Sequence, residues 1–142
     1  MMIYEHGTLI TMDAQRRIIS DGAMAVENGR FVAIDKAKVL HKRFPNEPRT
    51  DLKGKIVTPG LINTHVHLAQ AMIRGCADDM ELLDWLGKRV WVLQGNYTEE
   101  DGRASAELCI LEMLKSGTTA FVESMLAERY GFDGIAEVVL RS

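Results

Sequence analysis

Two histidines one residue apart, His65 and His67, are the side chains whose type and spacing point most directly to chemistry. In an extended strand, side chains two positions apart share a face and their Cα atoms lie about 6.6 Å apart, so two imidazoles can reach one metal ion. A Pro-Gly turn and a short apolar strand precede the pair, which places it at a strand's C-terminal end, where barrel enzymes assemble their active sites. Taken alone, a His-x-His pair is equally a chance or structural pair, so its meaning depends on the surrounding elements.

The first third of the chain predicts a small β region. A strand over residues 3–12 precedes two strands, 22–27 and 30–35, that flank Asn28-Gly29. This dipeptide is the strongest short signal for a β-hairpin, because both of its residues tolerate positive φ. The pattern therefore predicts antiparallel pairing in this region.

A short helix and a further strand are expected before the region ends. Asp35 is expected to cap a helix over residues 36–44, and a strand is expected over residues 51–57. Thr58-Pro59-Gly60 then marks a boundary, because proline fixes one φ angle and glycine permits a turn.

Beyond the boundary the pattern changes to alternating strands and helices. Two short apolar segments, residues 61–65 and 118–123, predict buried strands, and each is followed by helical sequence. This order is typical of an α/β unit with parallel strands. We therefore predict two domains, a β region over residues 1–58 and an α/β region over residues 59–142.

The long helix between those strands carries clear end signals. Thr98 and Asp101 resemble a capping box, and Gly117 supplies a C-terminal stop. The apolar positions expected to face the core are Ala104, Leu108, Leu111 and Leu114.

Composition excludes several classes of partner. The 142-residue chain has 17 basic against 20 acidic residues and a net charge of −3, which gives no electrostatic case for nucleic acid. Its two cysteines lack metal-site or redox spacing, and no segment predicts a signal peptide or membrane span. We expect a cytoplasmic protein whose partners are small molecules.

Residues 57–67, Val-Thr-Pro-Gly-Leu-Ile-Asn-Thr-His-Val-His, resemble the first-strand signature of the amidohydrolase superfamily of metal-dependent hydrolases. Further matches resemble the branch that holds the adenosine-type, guanine and cytosine deaminases and the s-triazine hydrolases. They are Arg74-Gly75, Ala77-Asp78-Asp79, Leu83, Trp85-Leu86, Trp91 and Ser116-Gly117-Thr118-Thr119. The resemblance runs through essentially the whole chain.

This resemblance implies a fold and a reaction. The fold is a TIM-like (β/α)₈ barrel, incomplete in this chain, preceded by a small N-terminal β-sandwich region. The cofactor is one Zn or Fe ion, with His65 and His67 as its first two ligands. The reaction is hydrolysis of C–N bonds other than peptide bonds, by deamination, or dechlorination, of a purine, pyrimidine or triazine-like ring. The remaining ligands and the acid/base residue are expected after Ser142, so the 142-residue chain is expected to be inactive, and His6 and His41 are interpreted as surface or structural residues.

The same resemblance suggests substrate-binding residues. Gln70 either faces the substrate ring or bonds nearby backbone in the first turn of a helix, and Trp85 is either a pocket wall or core packing. Gln94 stands where nucleoside-acting members have a glutamate that binds the ribose diol, which a neutral amide binds less strongly. Glu123 either orients a metal ligand or has a structural role.

Two other functions stay open. Within the same fold, a cyclic amide hydrolase of the dihydroorotase or hydantoinase type is the nearest enzymatic alternative. Outside enzymes, the chain could be a truncated, non-catalytic interaction module. Unpaired strands and exposed apolar helix faces would favour association, so a homo-oligomer is among the expectations.

Overall fold

The computed structural model describes residues 1–142 as a mixed α/β fold with two units, Met1–Pro59 and Gly60–Ser142. The strands are β1 Met2–Ile10, β2 Ile18–Glu27, β3 Arg30–Lys36, β4 Arg49–Asp51, β5 Ile56–Val57, β6 Leu61–Val66 and β7 Thr118–Glu123. The α-helices are α1 Ala37–Arg43, α2 Leu82–Trp85, α3 Trp91–Gln94, α4 Glu99–Ser116 and α5 Phe132–Arg141. Two 3₁₀-helices, Leu68–Ile73 and Glu128–Tyr130, and a π-helical turn, Leu86–Val90, complete the helical segments.

The first unit is built on a five-stranded sheet in the order β3-β2-β1-β4, with β5 also paired to β1. β1, β2 and β3 are antiparallel, as the hairpin signal indicates, and β4 and β5 lie parallel to β1. Asn28 and Gly29 have φ angles of 50° and 72°, which matches the twist of a tight hairpin turn. A second sheet layer, which a sandwich requires, stays a prediction.

The core of this unit lies between the sheet and α1. Alternate residues of β1 and β2 point to one face, so the buried side chains of the strands meet those of the helix. The cluster consists of Ile3, Ala23, Ala25, Ala37 and Leu40. Small alanines on both elements let the helix approach the sheet closely.

Two local predictions for this unit are wrong. The N-cap of α1 is Lys36, without a side-chain cap, because Asp35 Oδ1 accepts a hydrogen bond from the Lys36 N–H, outside the helix. The strand expected over residues 51–57 is interrupted by a turn at Lys53 and Gly54, whose φ angles are 53° and 74°. Both errors arise where polar side chains bond to local backbone instead of continuing an element.

The second unit contains the predicted strand-helix-strand-helix order. β6 and β7 pair in parallel, and α4 connects them. The capping box of α4 is confirmed, because Asp101 N–H donates to Thr98 Oγ1 while the Asp101 carboxylate accepts from Thr98 N–H. Gly117, with φ 86°, ends the helix in the left-handed conformation expected of a glycine C-cap.

The predicted apolar stripe of α4 is on the wrong face. Its members Ala104, Leu108, Leu111 and Leu114 are exposed. The face that packs against the 3₁₀-helix Leu68–Ile73 and α5 instead presents Gly102, Ser105, Ala106, Ile110 and Met113. Small side chains at the start of this face permit the close approach, so leucine content alone identified the wrong side.

β6 and β7 are also more exposed than predicted. Leu61 and Ile62 are 59% and 69% exposed, and Val122 is 55% exposed. A sheet of two strands leaves much of its surface without covering side chains. The core of this unit lies instead around Leu68, Ala106, Ile110, Tyr130 and Ile135. None of the helices is both long enough and apolar enough to span a bilayer.

Candidate metal centre

β6 places the two histidine side chains on one face. The strand ends at Val66, and His67 continues in an extended conformation with φ −123° and ψ 91°. The His65 and His67 rings therefore meet edge to face, with centroids 4.8 Å apart and Nε2 atoms 3.1 Å apart. His65 is exposed and His67 is half-buried, so the pair lies at the surface of this chain.

The spacing of the two Nε2 atoms fits joint ligation of a metal. Two nitrogens bound at about 2.0–2.1 Å to a tetrahedral zinc lie about 3.3 Å apart, close to the 3.1 Å observed. No cluster of three or more His, Cys, Asp or Glu side chains in this chain is arranged to hold a metal. The pair could therefore supply at most two of the four ligands that zinc prefers.

Glu123, at the end of β7, is the acidic group beside this pair. Its Oε2 accepts from Leu68 N–H and its Oε1 accepts from Met125 N–H, each at 2.7 Å. Oε1 also lies 3.8 Å from His67 Nδ1, a buried nitrogen without a hydrogen-bond partner. The carboxylate thus connects the end of β7 to the residue that follows the histidines.

Ser105 anchors the segment after the histidines, a contact that sequence reasoning missed. Its buried hydroxyl donates to the Leu68 carbonyl at 2.8 Å and accepts from Met72 N–H at 3.4 Å. The signal available in the sequence was a serine among the small residues of α4. Since a buried hydroxyl is costly unless it is bonded, that serine indicates a backbone partner.

Gln70 and Gln94 are brought together by the fold. Gln70 Nε2 donates to Gln94 Oε1 at 3.4 Å, and Gln94 is wholly buried with its Nε2 unpaired. Trp85 is half-buried in α2, and no hydrogen bond links it to either glutamine. The roles suggested for these three residues stay predictions.

The other histidines occupy the first unit. His6 Nδ1 lies 2.7 Å from Asp21 Oδ1, and this hydrogen bond raises the pKa of His6 above 6.5. His41 is exposed on α1. Cys76 and Cys109 are free and half-buried, and burial raises the pKa of the Cys109 thiol, which makes it a less reactive group.

Comparison with known proteins places these observations in a family. The model described as "Amidohydrolase family" matches residues 56–142. The chain is 40% identical over 139 residues to 5-methylthioadenosine/S-adenosylhomocysteine deaminase of Bacillus cereus, covering 98% of this chain and 32% of that protein. The Bacillus anthracis protein of the same name is also 40% identical over the same length. The chain thus spans about a third of the curated relatives it matches.

Solved structures give the same picture. An adenosine deaminase from Xanthomonas campestris with bound zinc aligns with a TM-score of 0.79 and 26% identity, over 99% of this chain and 31% of that one. A mutant atrazine chlorohydrolase from Arthrobacter aurescens, complexed with zinc and atraton, aligns with a TM-score of 0.82 and 26% identity, over 99% and 33%. The zinc in both agrees with the divalent metal that the sequence resemblance implies. The chain belongs to the amidohydrolase family, and the resemblance to its deaminase and triazine hydrolase branch is confirmed.

Proposed function

We propose that this chain supplies the first two metal ligands, His65 and His67, of a hydrolase that acts on C–N bonds other than peptide bonds. The observation that carries the proposal is the 3.1 Å separation of their Nε2 atoms, which suits one divalent zinc or iron ion. A divalent ion held there would supply an activated water as nucleophile near neutral pH. The two imidazoles would hold that ion at the end of β6.

The substrate proposed is a purine, pyrimidine or triazine-like ring, which loses an amino or chloro group. The names of the relatives support this class, since they include nucleoside deaminases and an atrazine chlorohydrolase. Gln70 follows His67 by three residues, and its Nε2 is directed to Gln94. We propose that Gln70 presents its carboxamide to the ring and that Trp85 forms a wall of the pocket.

Gln94 favours a free heterocycle over a nucleoside. The family resemblance implies a glutamate at this position in members that act on nucleosides, and its charge would strengthen hydrogen bonds to the ribose diol. Gln94 is neutral, and in this chain its oxygen already accepts from Gln70. The preference therefore rests on Gln94 alone, since the chain is also 40% identical to a nucleoside deaminase.

We also propose that the 142-residue chain is inactive by itself. Catalytic zinc sites typically have three protein ligands, whereas the chain presents two histidines without a third His, Cys, Asp or Glu in the same cluster. Under this proposal the chain is the start of a (β/α)₈ barrel behind a β-sandwich region, with the remaining ligands on later strands.

Zinc binding tests the ligand assignment. Titration of the chain with Zn²⁺ should give weak binding that is lost in His65→Ala and in His67→Ala and kept in His41→Ala, a matched change on α1. If both single variants bind Zn²⁺ as the unchanged chain does, the two histidines are not the ligands.

Product release tests the reaction. The full-length protein loaded with Zn²⁺ or Fe²⁺ should release ammonia, or chloride, from free purines, pyrimidines or triazines faster than from nucleosides. Gln94→Glu should raise turnover of nucleosides relative to free rings. Equal turnover by metal-free protein would refute the reaction proposed, and turnover of neither class would favour a non-catalytic module.

A further inference from the structure

The buried Nδ1 of His67 needs a partner that the metal site itself does not provide. His67 Nε2 faces His65 Nε2, so Nε2 is the atom available to a metal, and Nδ1 points away from it. An imidazole that ligates through Nε2 carries its proton on Nδ1. That N–H would be buried without an acceptor, which is unfavourable unless a neighbouring group accepts it.

Glu123 is placed to be that acceptor. Its Oε1 lies 3.8 Å from His67 Nδ1, and closing the gap to an ordinary charge-assisted hydrogen bond needs a shift of about 1 Å. The carboxylate is held in place by the N–H groups of Leu68 and Met125, so its own position is fixed from two sides. Each oxygen has a further lone pair after these bonds.

The pairing of the strands keeps the two groups in register. Val66, adjacent to His67, pairs with Glu123 across the β6–β7 ladder, and Ser124 N–H donates to the Val66 carbonyl at 3.0 Å. The Glu123 side chain crosses from β7 to the first residue after His67. The backbone ladder and the side-chain bond therefore hold His67 and Glu123 together from both sides.

We propose that Glu123 is a positioning residue that holds His67 in its Nδ1–H tautomer with Nε2 free for a metal. The alternative tautomer would turn an unprotonated Nδ1 toward a carboxylate, an unfavourable contact between two lone pairs. In the metal-free chain the same preference sets the direction of the bond between the two histidines: His65 Nε2–H donates to His67 Nε2. The inference deepens the proposed function, since it concerns the same metal site.

A purely structural role for Glu123 makes different predictions. Glu123 also bonds Leu68 and Met125, so replacing it could loosen the chain without affecting the histidine. A structural role would speed amide hydrogen exchange at those two residues and leave the His67 tautomer unchanged. The tautomer is therefore the readout that separates positioning from simple stabilisation.

Nitrogen-15 NMR of the imidazole groups in the 142-residue chain tests the inference. In the unchanged, metal-free chain we expect His67 to be protonated at Nδ1. In Glu123→Gln we expect a mixture of tautomers and a fall of about 10–100-fold in Zn²⁺ affinity. Glu107→Gln, the same change at an exposed position of α4, should alter neither measurement.

Two outcomes would overturn the inference, and a third bears on the proposed function. His67 protonated at Nε2 in the unchanged chain would overturn the inference, and this result needs no variant to fold. The inference would also be overturned if the Glu123→Gln chain keeps His67 protonated at Nδ1 and binds Zn²⁺ with an affinity within twofold of that of the unchanged chain. Absence of Zn²⁺ binding in the unchanged chain would count against the proposed function alone, because the tautomer is measured without metal.

Discussion

Gly60 approaches Thr119 so closely that the backbone before β6 has no room for a side chain. A Cβ at Gly60 would lie 2.0 Å from Thr119 Oγ1 and 2.6 Å from Thr119 Cβ. The neighbouring residues Leu61 and Thr118 are paired across the two strands, so neither backbone can easily withdraw. The absence of a side chain at Gly60 therefore leaves room for Thr119 where β6 and β7 begin to pair.

Gly60→Ala should therefore destabilise the chain by roughly 1–3 kcal/mol in urea unfolding, the usual cost of overpacking. Thr119→Gly removes the opposing atoms, so the cost of Gly60→Ala should be smaller in that background, as a double-mutant cycle would detect. Gly87→Ala is the matched control, because a Cβ there meets no atom within 4 Å. Equal losses for Gly60→Ala in both backgrounds would show that the contact is not the cause.

Ile110 and Leu111 test the corrected face of α4. Ile110 is 5% exposed and Leu111 is 55% exposed. Ile110→Ala should lower the free energy of unfolding by about 2–5 kcal/mol, whereas Leu111→Ala should change it by about 0.5 kcal/mol or less. Chemical denaturation of the two variants measures both values. Similar losses would mean that Leu111 is buried when the chain is in solution.

Asp101 gives the capping box of α4 a pH dependence. The Thr98 backbone N–H and hydroxyl hold the pKa of this carboxyl below 3.8. A lowered pKa means that the stabilisation is fully present above 3.8 and is lost as the pH falls through the pKa of the folded chain. In the unchanged chain the urea concentration at the unfolding midpoint should fall as the solution is acidified. In Asp101→Asn this fall should be smaller.

His6 and Asp21 should give the opposite pH dependence. Their hydrogen bond raises the pKa of His6 above 6.5, so the stabilisation is fully present below 6.5 and is lost as the pH rises through the higher folded value. Proton NMR titration should show the His6 pKa moving down toward 6.5 in Asp21→Asn. Asp35→Asn, a matched change on β3, should leave it in place. An unchanged His6 pKa in Asp21→Asn would exclude the pair as its cause.

Local signals predicted much of this fold because they depend on neighbouring residues. The Asn28-Gly29 hairpin, the Thr98 capping box and the parallel pairing of β6 with β7 follow from short-range chemistry or from element order. The buried face of α4 depends on which elements pack against it, and no periodicity within the helix contains that information. For the same reason leucine content selected Leu111 and Leu114 over Ile110.

The candidate metal centre likewise combines features that the sequence predicts with contacts that only the tertiary fold creates. The shared face of His65 and His67 follows from strand geometry, since side chains two positions apart in a strand point the same way. The link between Gln70 and Gln94 and the bond from Ser105 to the Leu68 carbonyl join residues 24 and 37 positions apart. Such contacts require the tertiary fold, so sequence could suggest the residues as candidates but could not pair them.

The position of His65 and His67 on either side of one residue also constrains how β6 can evolve. Because successive side chains of a strand alternate between faces, a one-residue insertion between Gly60 and Asn63 that shifted the strand register would turn both histidines away together. A two-residue insertion of the same kind would return both to the original face. Insertions and deletions before Asn63 thus keep or lose the two histidines on their shared face as a unit, whereas Glu123, on the neighbouring strand, can be lost without them.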